Sequence, residues 1–238
     1  MPRPIRATVD LAALRHNLAA ARRHAGARRL WAVVKANAYG HGLGRAQRGF
    51  ADADGLALLD LDEAVRAREA GWTRPILLLE GFFAPGDLEV VDALHLTTVV
   101  HRDEQVSMLA GHSQRAQIDV YNKVDTGMHR LGFAPGRTAA VIERLRGLAG
   151  VRLAALMTHF ANADRDDAGD GPTSVDEQMR AFDSACAGWS GARSLANSAA
   201  LFLHAGVGGE SVRPGIALYG ASPMAGRAAA TFGLKPAM

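Results

Sequence analysis

The chain has 238 residues, 48% of them hydrophobic and 21% charged, with a formal net charge of +3. These values exclude a disordered or fibrous chain and suit one soluble domain, able to bury roughly 70–75% of its unfolded surface. The basic excess is small and scattered and no aromatics interleave with it, which argues against a nucleic-acid groove, and no apolar run reaches the roughly 18 residues that a membrane span needs.

In chain order, Met1-Pro2-Arg3-Pro4 lacks the apolar run of a secretory leader. Arg6–Asp10 reads as a short strand, and a first helix starts near Asp10. Arg22-Arg23-His24 and Arg28-Arg29, at the end of that helix, read as solvated faces. Eight short apolar runs follow: Leu30–Val34, Leu56–Leu59, Ile76–Leu79, Thr97–Val100, Ile118–Tyr121, Leu153–Met157, Ser194–Ala196 and Glu210–Val212. Between them lie segments of helical period. Asp62–Ala70 opens on an acidic cap and stops at Gly71. Leu88–Leu94 and Asp103–Leu109 are shorter. Pro135–Leu148 has proline in its first turn, and Ser174–Trp189 opens with the Ser-x-x-Glu capping box. The single cysteine, Cys186, belongs on an apolar helix face as a small buried hydrophobe, with no partner for a disulfide or a metal cluster. Ala163–Pro172, rich in Gly and Asp, reads as a mobile surface loop, and Thr231–Met238 as the entry of a further strand.

Continuous rather than alternating apolar runs mark parallel strands covered on both faces. Repeated strand–helix units mark a doubly wound sheet or a TIM-type barrel, and eight units favour an α/β (β/α)8 barrel. Barrel enzymes place reactive groups at the C-terminal ends of strands. There the sequence has Lys35 after the first run, Lys123 and Arg130 after the fifth, His159 after the sixth, Asn197 and Ser198 after the seventh, and Arg213 after the eighth. Taken singly, each has a plain explanation: a solubilising lysine, a rim histidine, an Asn-Ser helix cap, an Arg-Pro-Gly turn. Their common position at strand ends makes them a candidate site. An amine at the end of a buried strand loses solvation, which favours its neutral form and Schiff-base formation with an aldehyde. Ser198 at a helix start, with the amides of Gly215 and Ile216, offers a phosphate cradle. Pyridoxal phosphate fits this set; sugar-phosphate aldolase or isomerase chemistry is the rival.

Val33–Gly42, V-V-K-A-N-A-Y-G-H-G, resembles the cofactor-lysine signature of bacterial alanine racemases. D-L-A-A-L-R-H-N-L at Asp10–Leu18, K-V-D-T-G-M-H-R-L-G-F, M-T-H-F-A-N-A-D, A-N-S-A-A and R-P-G-I-A-L-Y-G resemble further blocks of that family, in order along the chain. The resemblance implies that Lys35 holds pyridoxal 5'-phosphate as a Schiff base and acts as the base on one face of the substrate. It implies that Tyr39, Ser198 and the amides of Gly215 and Ile216 bind the phosphate and that Arg213 donates to the pyridine nitrogen. His159 would pack near the ring and orient Arg213, with Asn197 supporting that wall. Arg130 would face the substrate carboxylate, and Lys123 matches a lysine that is carbamylated in some members. No metal is implied.

Racemisation needs a base on each face of the planar carbanion. In the family the second is a tyrosine of a C-terminal β domain, supplied across a dimer interface. Tyr39, Tyr121 and Tyr219 lie in no motif that matches the second base. The expectation is therefore a barrel over residues 1–230, the beginning of a second β domain at 231–238, and little activity from these residues alone. The intact protein is expected to be a cytoplasmic homodimer acting on a small amino acid and supplying D-alanine for peptidoglycan. A stand-alone pyridoxal-phosphate-binding barrel without racemase activity is the alternative.

Overall fold

The computed structural model describes residues 4–113, 115–165 and 174–238. Eight parallel strands close into a barrel in sequence order: β1 (Arg29–Val33), β2 (Gly55–Leu58), β3 (Ile76–Leu78), β4 (Thr97–Val100), β5 (Ile118–Lys123), β6 (Val151–Met157), β7 (Ala192–Ser194) and β8 (Ser211–Val212). Closure is made by β8 against β1, with Leu30 opposite Val212. Around the barrel run α1 (Leu11–Ala25), a short turn α2 (Lys35–Tyr39), α3 (Leu43–Gly49), α4 (Leu61–Glu69), α5 (Asp87–Ala93), α6 (Asp103–Gly111), α7 (Thr138–Arg146), α8 (Val175–Ala185) and α9 (Ser198–Leu203).

The apolar runs are continuous because the core has two layers. Trp31, Val33, Ala57, Leu77, Val99, Tyr121, Ala155 and Met157 fill the barrel axis. Their neighbours Leu30, Ala32, Leu56, Leu58, Ile76, Leu78 and Leu156 pack outward under the helices. Alternate residues of one strand thus meet two different apolar surroundings, and neither face needs a polar residue. Trp31 and Tyr121 meet edge to face at 6.4 Å across the axis. Local signals set the helix starts. The Asp10 carboxylate accepts from the amides of Ala12 and Ala13 at 2.7 and 3.2 Å, and Ser174 Oγ accepts from Glu177 N at 3.1 Å. Cys186 is buried at the C-terminal end of α8 as a free thiol, pushed up to about 11 by burial.

Both ends of the chain differ from the strand readings. Residues 4–10 pair with no strand, because a closed barrel has no edge left to accept one. The Asp10 amide bonds instead to the carbonyl of Ala237 at 2.9 Å. Ala229–Phe232 form a 3₁₀ turn, and the residues after it dock along α1. Asn17, fully buried, donates to the carbonyls of Leu218 and Lys235 at 3.1 and 2.8 Å and accepts the Lys235 amide at 2.8 Å. One side chain thereby supplies the backbone bonds that a neighbouring strand would have supplied. Arg22 does not point to solvent either. It pairs with Asp54 at 2.6 Å, and the same carboxylate accepts the Leu30 amide at 2.7 Å, tying α1 to β1. The loop expected at 163–172 lies outside the described residues from position 166 onward. Among the described residues, no helix is long and apolar enough to cross a membrane.

Candidate active site

The C-terminal mouth of the barrel opens into a cavity of about 530 Å³ whose walls include Lys35, Tyr39, His159, Asn197, Ser198, Arg213, Gly215 and Ile216, an ordinary size for a small-molecule site. Eight of the ten residues singled out from sequence thus share one space. The other two do not line it. Lys123, the last residue of β5, is 5% exposed beside the mouth. Arg130 is exposed in the turn that follows, and acts on Lys123 and His159 through its charge.

Lys35 and Tyr39 sit at the two ends of an unusual turn. Ala36, Asn37, Ala38 and Tyr39 have φ of 53°, 52°, 57° and 52°, a single turn of left-handed helix closed by bonds such as Ala38 N to Val34 O at 2.8 Å. Alanine and tyrosine lose about 1–2 kcal/mol each in this conformation, asparagine less, so the turn persists because its surroundings hold it. Ala38 is fully buried, Asn37 Oδ1 accepts the Leu43 amide at 2.9 Å, and the Tyr39 ring lies 4.8 Å from that of Tyr219. The turn brings the Lys35 amine to 5.9 Å from the Tyr39 ring centre. Burial pushes the Tyr39 phenol above its usual range.

Another wall of the cavity is the turn around Ser198. Ser198 Oγ accepts from the amides of Gly215 and Ala217 at 2.8 and 3.3 Å. A hydroxyl has two acceptor lone pairs and one proton; with both lone pairs engaged, the proton is left to donate into the cavity. A Cβ at position 215 would lie 2.5 Å from the Tyr39 hydroxyl, so glycine there lets that hydroxyl keep its place. Asn197 caps α9 by accepting the Ala200 amide at 2.9 Å.

Arg213 is 3% exposed. It donates to Ser194 Oγ at 2.6 Å and to the carbonyls of Thr158 and Leu195 at 2.6 and 3.3 Å. These acceptors, not His159, orient its guanidinium. Burial lowers its pKa to about 10, so it stays protonated at neutral pH. His159 is held well below the usual histidine range by burial and by the charges of Arg213, Lys123, Arg130 and Lys35. Its Nε2 lies 3.4 Å from Asn197 Nδ2, a long contact. Burial, then Arg213 and Arg130, bring Lys123 down to about 8.

Sequence reasoning missed several neighbours. Met128, Asp164, Ser222 and Met224 also line the cavity; the Ser222-Pro223 pair after the last barrel unit was the available signal for part of this set. His101 and Glu80 act on Lys123 or share its surroundings, with His101 Nε2 donating to the Glu80 carbonyl at 3.0 Å. Glu63 Oε1 accepts the Asn37 amide at 2.6 Å. It sits in a helix that sequence reading assigned only to structure.

A closed parallel barrel with an amine, a guanidinium and a hydroxyl-bearing turn around the cavity at its C-terminal mouth has the architecture of the (β/α)8 barrel enzymes, whose sites lie at that end. Comparison narrows the class. Residues 9–223 match the model described as "Alanine racemase, N-terminal domain", and the chain belongs to that family. It is 52% identical to the alanine racemase of Burkholderia mallei (strain SAVP1) over 100% of its own length and 65% of that protein's. It is also 52% identical to that of Janthinobacterium sp. (strain Marseille), covering 66% of it. Among solved structures, the biosynthetic alanine racemase from Pseudomonas aeruginosa superposes with a TM-score of 0.93 at 42% identity, over 100% of this chain and 65% of that one. The alanine racemase from Acinetobacter baumannii gives 0.86 at 33% identity, over 96% and 67%. The chain therefore spans about 65% of the length of the first of these relatives.

Proposed function

We propose that this chain is the pyridoxal-5'-phosphate-binding barrel of an alanine racemase, and that the whole protein interconverts L- and D-alanine. The observation that carries the reading is the convergence of the Lys35 amine, the Arg213 guanidinium and the Ser198–Gly215 turn on one cavity. The residues fit the cofactor. Ser198 has a proton to donate, Gly215 leaves room beside Tyr39, and both form a cradle for a phosphate, with Tyr39 and the Ile216 amide as further donors. Lys35 would bond the aldehyde carbon. When bound, the cofactor supplies an electron sink for the pair released when the Cα proton of a covalently attached amino acid is removed. Identity near 50% to proteins named alanine racemase across the whole chain favours this reading over a stand-alone cofactor-binding barrel.

The chain's residues shape that chemistry. Lys35 would take or return a proton at one face of the substrate Cα. Arg213, protonated at neutral pH, would face the ring nitrogen of the cofactor as a donor only, which would weaken the electron pull and disfavour side reactions. Neutral His159 would pack beside the cofactor ring without adding a charge, with Asn197 against it. Arg130 meets the substrate carboxylate. Lys123 is placed to become a carbamate: its neutral amine adds to the carbon of CO₂, one C–O π pair moves to oxygen, and the displaced proton leaves to solvent. The resulting anion would attract Arg130 and Arg213 where the ammonium repels them.

Racemisation requires a second base on the other face. Tyr39 shares a turn with Lys35, Tyr219 gives its proton to the Val33 carbonyl at 2.9 Å, and Tyr121 lies in the barrel axis. In this reading a tyrosine from the part of the relatives that the chain does not span supplies it, across a homodimer interface, and D-alanine for peptidoglycan is made in the cytoplasm. With cofactor and L-alanine in D₂O, the 238-residue chain should exchange the Cα proton with little inversion, and Lys35→Ala should exchange none. Full racemisation by these residues alone would contradict the one-base assignment.

A further inference from the structure

The left-handed turn leaves its own entrance unsatisfied. The first amides of any helical turn have no acceptor inside it, and the Asn37 amide finds one in Glu63 Oε1, at 2.6 Å. Glu63 belongs to the first turn of α4 yet is only 4% exposed. Arg66 stands 3.9 Å away and is itself 57% exposed, and the second carboxylate oxygen has no hydrogen-bond partner among the described residues. A carboxylate is unfavourable in such a place unless a hydrogen bond compensates it, and the bond it makes goes to the strained backbone beside Lys35. Nothing in α4 itself uses the group.

We propose that Glu63 is a positioning residue: its buried carboxylate holds the left-handed turn 36–39 in place and, through it, aims the Lys35 amine and the Tyr39 hydroxyl into the cavity. The proposal deepens the cofactor reading of Lys35 and rests on it. Without the carboxylate the turn relaxes toward ordinary right-handed or extended backbone, and both side chains swing out of register. Strain relief should then substitute for the clamp. Ala36 is exposed, so Ala36→Gly removes the left-handed penalty at that position without opening a cavity.

The test is the concentration of pyridoxal phosphate that half-saturates borohydride-trapped label at Lys35, with thermal unfolding of the cofactor-free protein as control. Glu63→Ala should raise that concentration about tenfold or more, the scale of a lost charge-assisted hydrogen bond. Glu63→Gln, which keeps an oxygen acceptor, should stay within about threefold of the unsubstituted protein, and Ala36→Gly in the Glu63→Ala background should regain at least about threefold. A loss of core packing would not be repaired by a glycine at an exposed position. Label unchanged in Glu63→Ala would overturn the proposal, as would a loss that neither Gln nor Gly restores. Should Glu63→Ala not fold, hydrogen exchange at the Asn37 amide of the unsubstituted protein decides: slowing of about tenfold or more supports the clamp, and free-loop exchange overturns it. Failure of the cofactor reading looks different, as no label at Lys35 in the unsubstituted protein, with Asn37 protection still judging the clamp.

Discussion

Replacing Lys123 by methionine should stabilise the cofactor-free protein at neutral pH and remove a specific pH dependence. The ammonium is 5% exposed and faces Arg213 and Arg130, with Glu80 and Asp125 only partly offsetting them. Its pKa of about 8 in the folded chain stands against an ordinary 10.5. Between those values the unfolded chain binds the extra proton, so the stability of the folded state rises as pH goes from about 8 to 10.5 and is lowest below that window. The full difference corresponds to about 3 kcal/mol. Methionine keeps most of the length and has no charge, so Lys123→Met should gain on the order of 2 kcal/mol at pH 7 after some loss of contacts. Urea titrations in CO₂-free buffer at several pH values measure it. The two proteins should differ most near pH 7 and converge toward pH 10.5. Parallel stability curves would refute the placement of a charged amine among these arginines. Added ¹³C-bicarbonate should give a carbamate signal in the parent protein that Lys123→Met lacks.

Gly215→Ala tests the close approach of the cradle to Tyr39. The new Cβ must displace the tyrosine hydroxyl, so pyridoxal-phosphate affinity measured by absorbance should fall about tenfold, with thermal unfolding of the cofactor-free protein as the control for the backbone; an unchanged affinity would mean that this contact does not shape the cradle. Gly220→Ala tests the docked tail. At φ +86° a Cβ would collide with the Lys235 carbonyl, and the substitution should cost about 2 kcal/mol or more in denaturant unfolding; an unmoved midpoint would place residues 235–237 elsewhere.

The barrel was legible because its strands report burial on both faces. Leu56–Leu59 and Ile76–Leu79 differ from β2 and β3 only at their ends, and Thr97–Val100 coincides with β4. The seventh run, Ser194–Ala196, overlaps β7 only at Ser194, since that strand is three residues long and carries Arg193, whose polarity hides it from a hydrophobicity reading. Pro135–Leu148 divides into a 3₁₀ turn and α7, because proline starts a tight turn as readily as a helix. Arg6–Asp10 has strand character but no edge to join. At the site, Lys35, His159 and Arg213 could be found from their place at strand ends. The left-handed turn could not: only Asn37 has some local preference for it, Ala36 and Ala38 have none, and contacts from Glu63, Leu43 and Tyr219 hold it. For the same reason Glu63 reads in sequence as a helix-start carboxylate, and its action on a distant backbone amide appears only in three dimensions.

Of the three lysines, Lys35 is the amine that should meet the cofactor. Pyridoxal phosphate added to the protein, reduced with borohydride and followed by peptide mapping should leave its label on Lys35, and Lys35→Ala should leave none. Label on Lys123 or on Lys235 with Lys35 unmodified would contradict it.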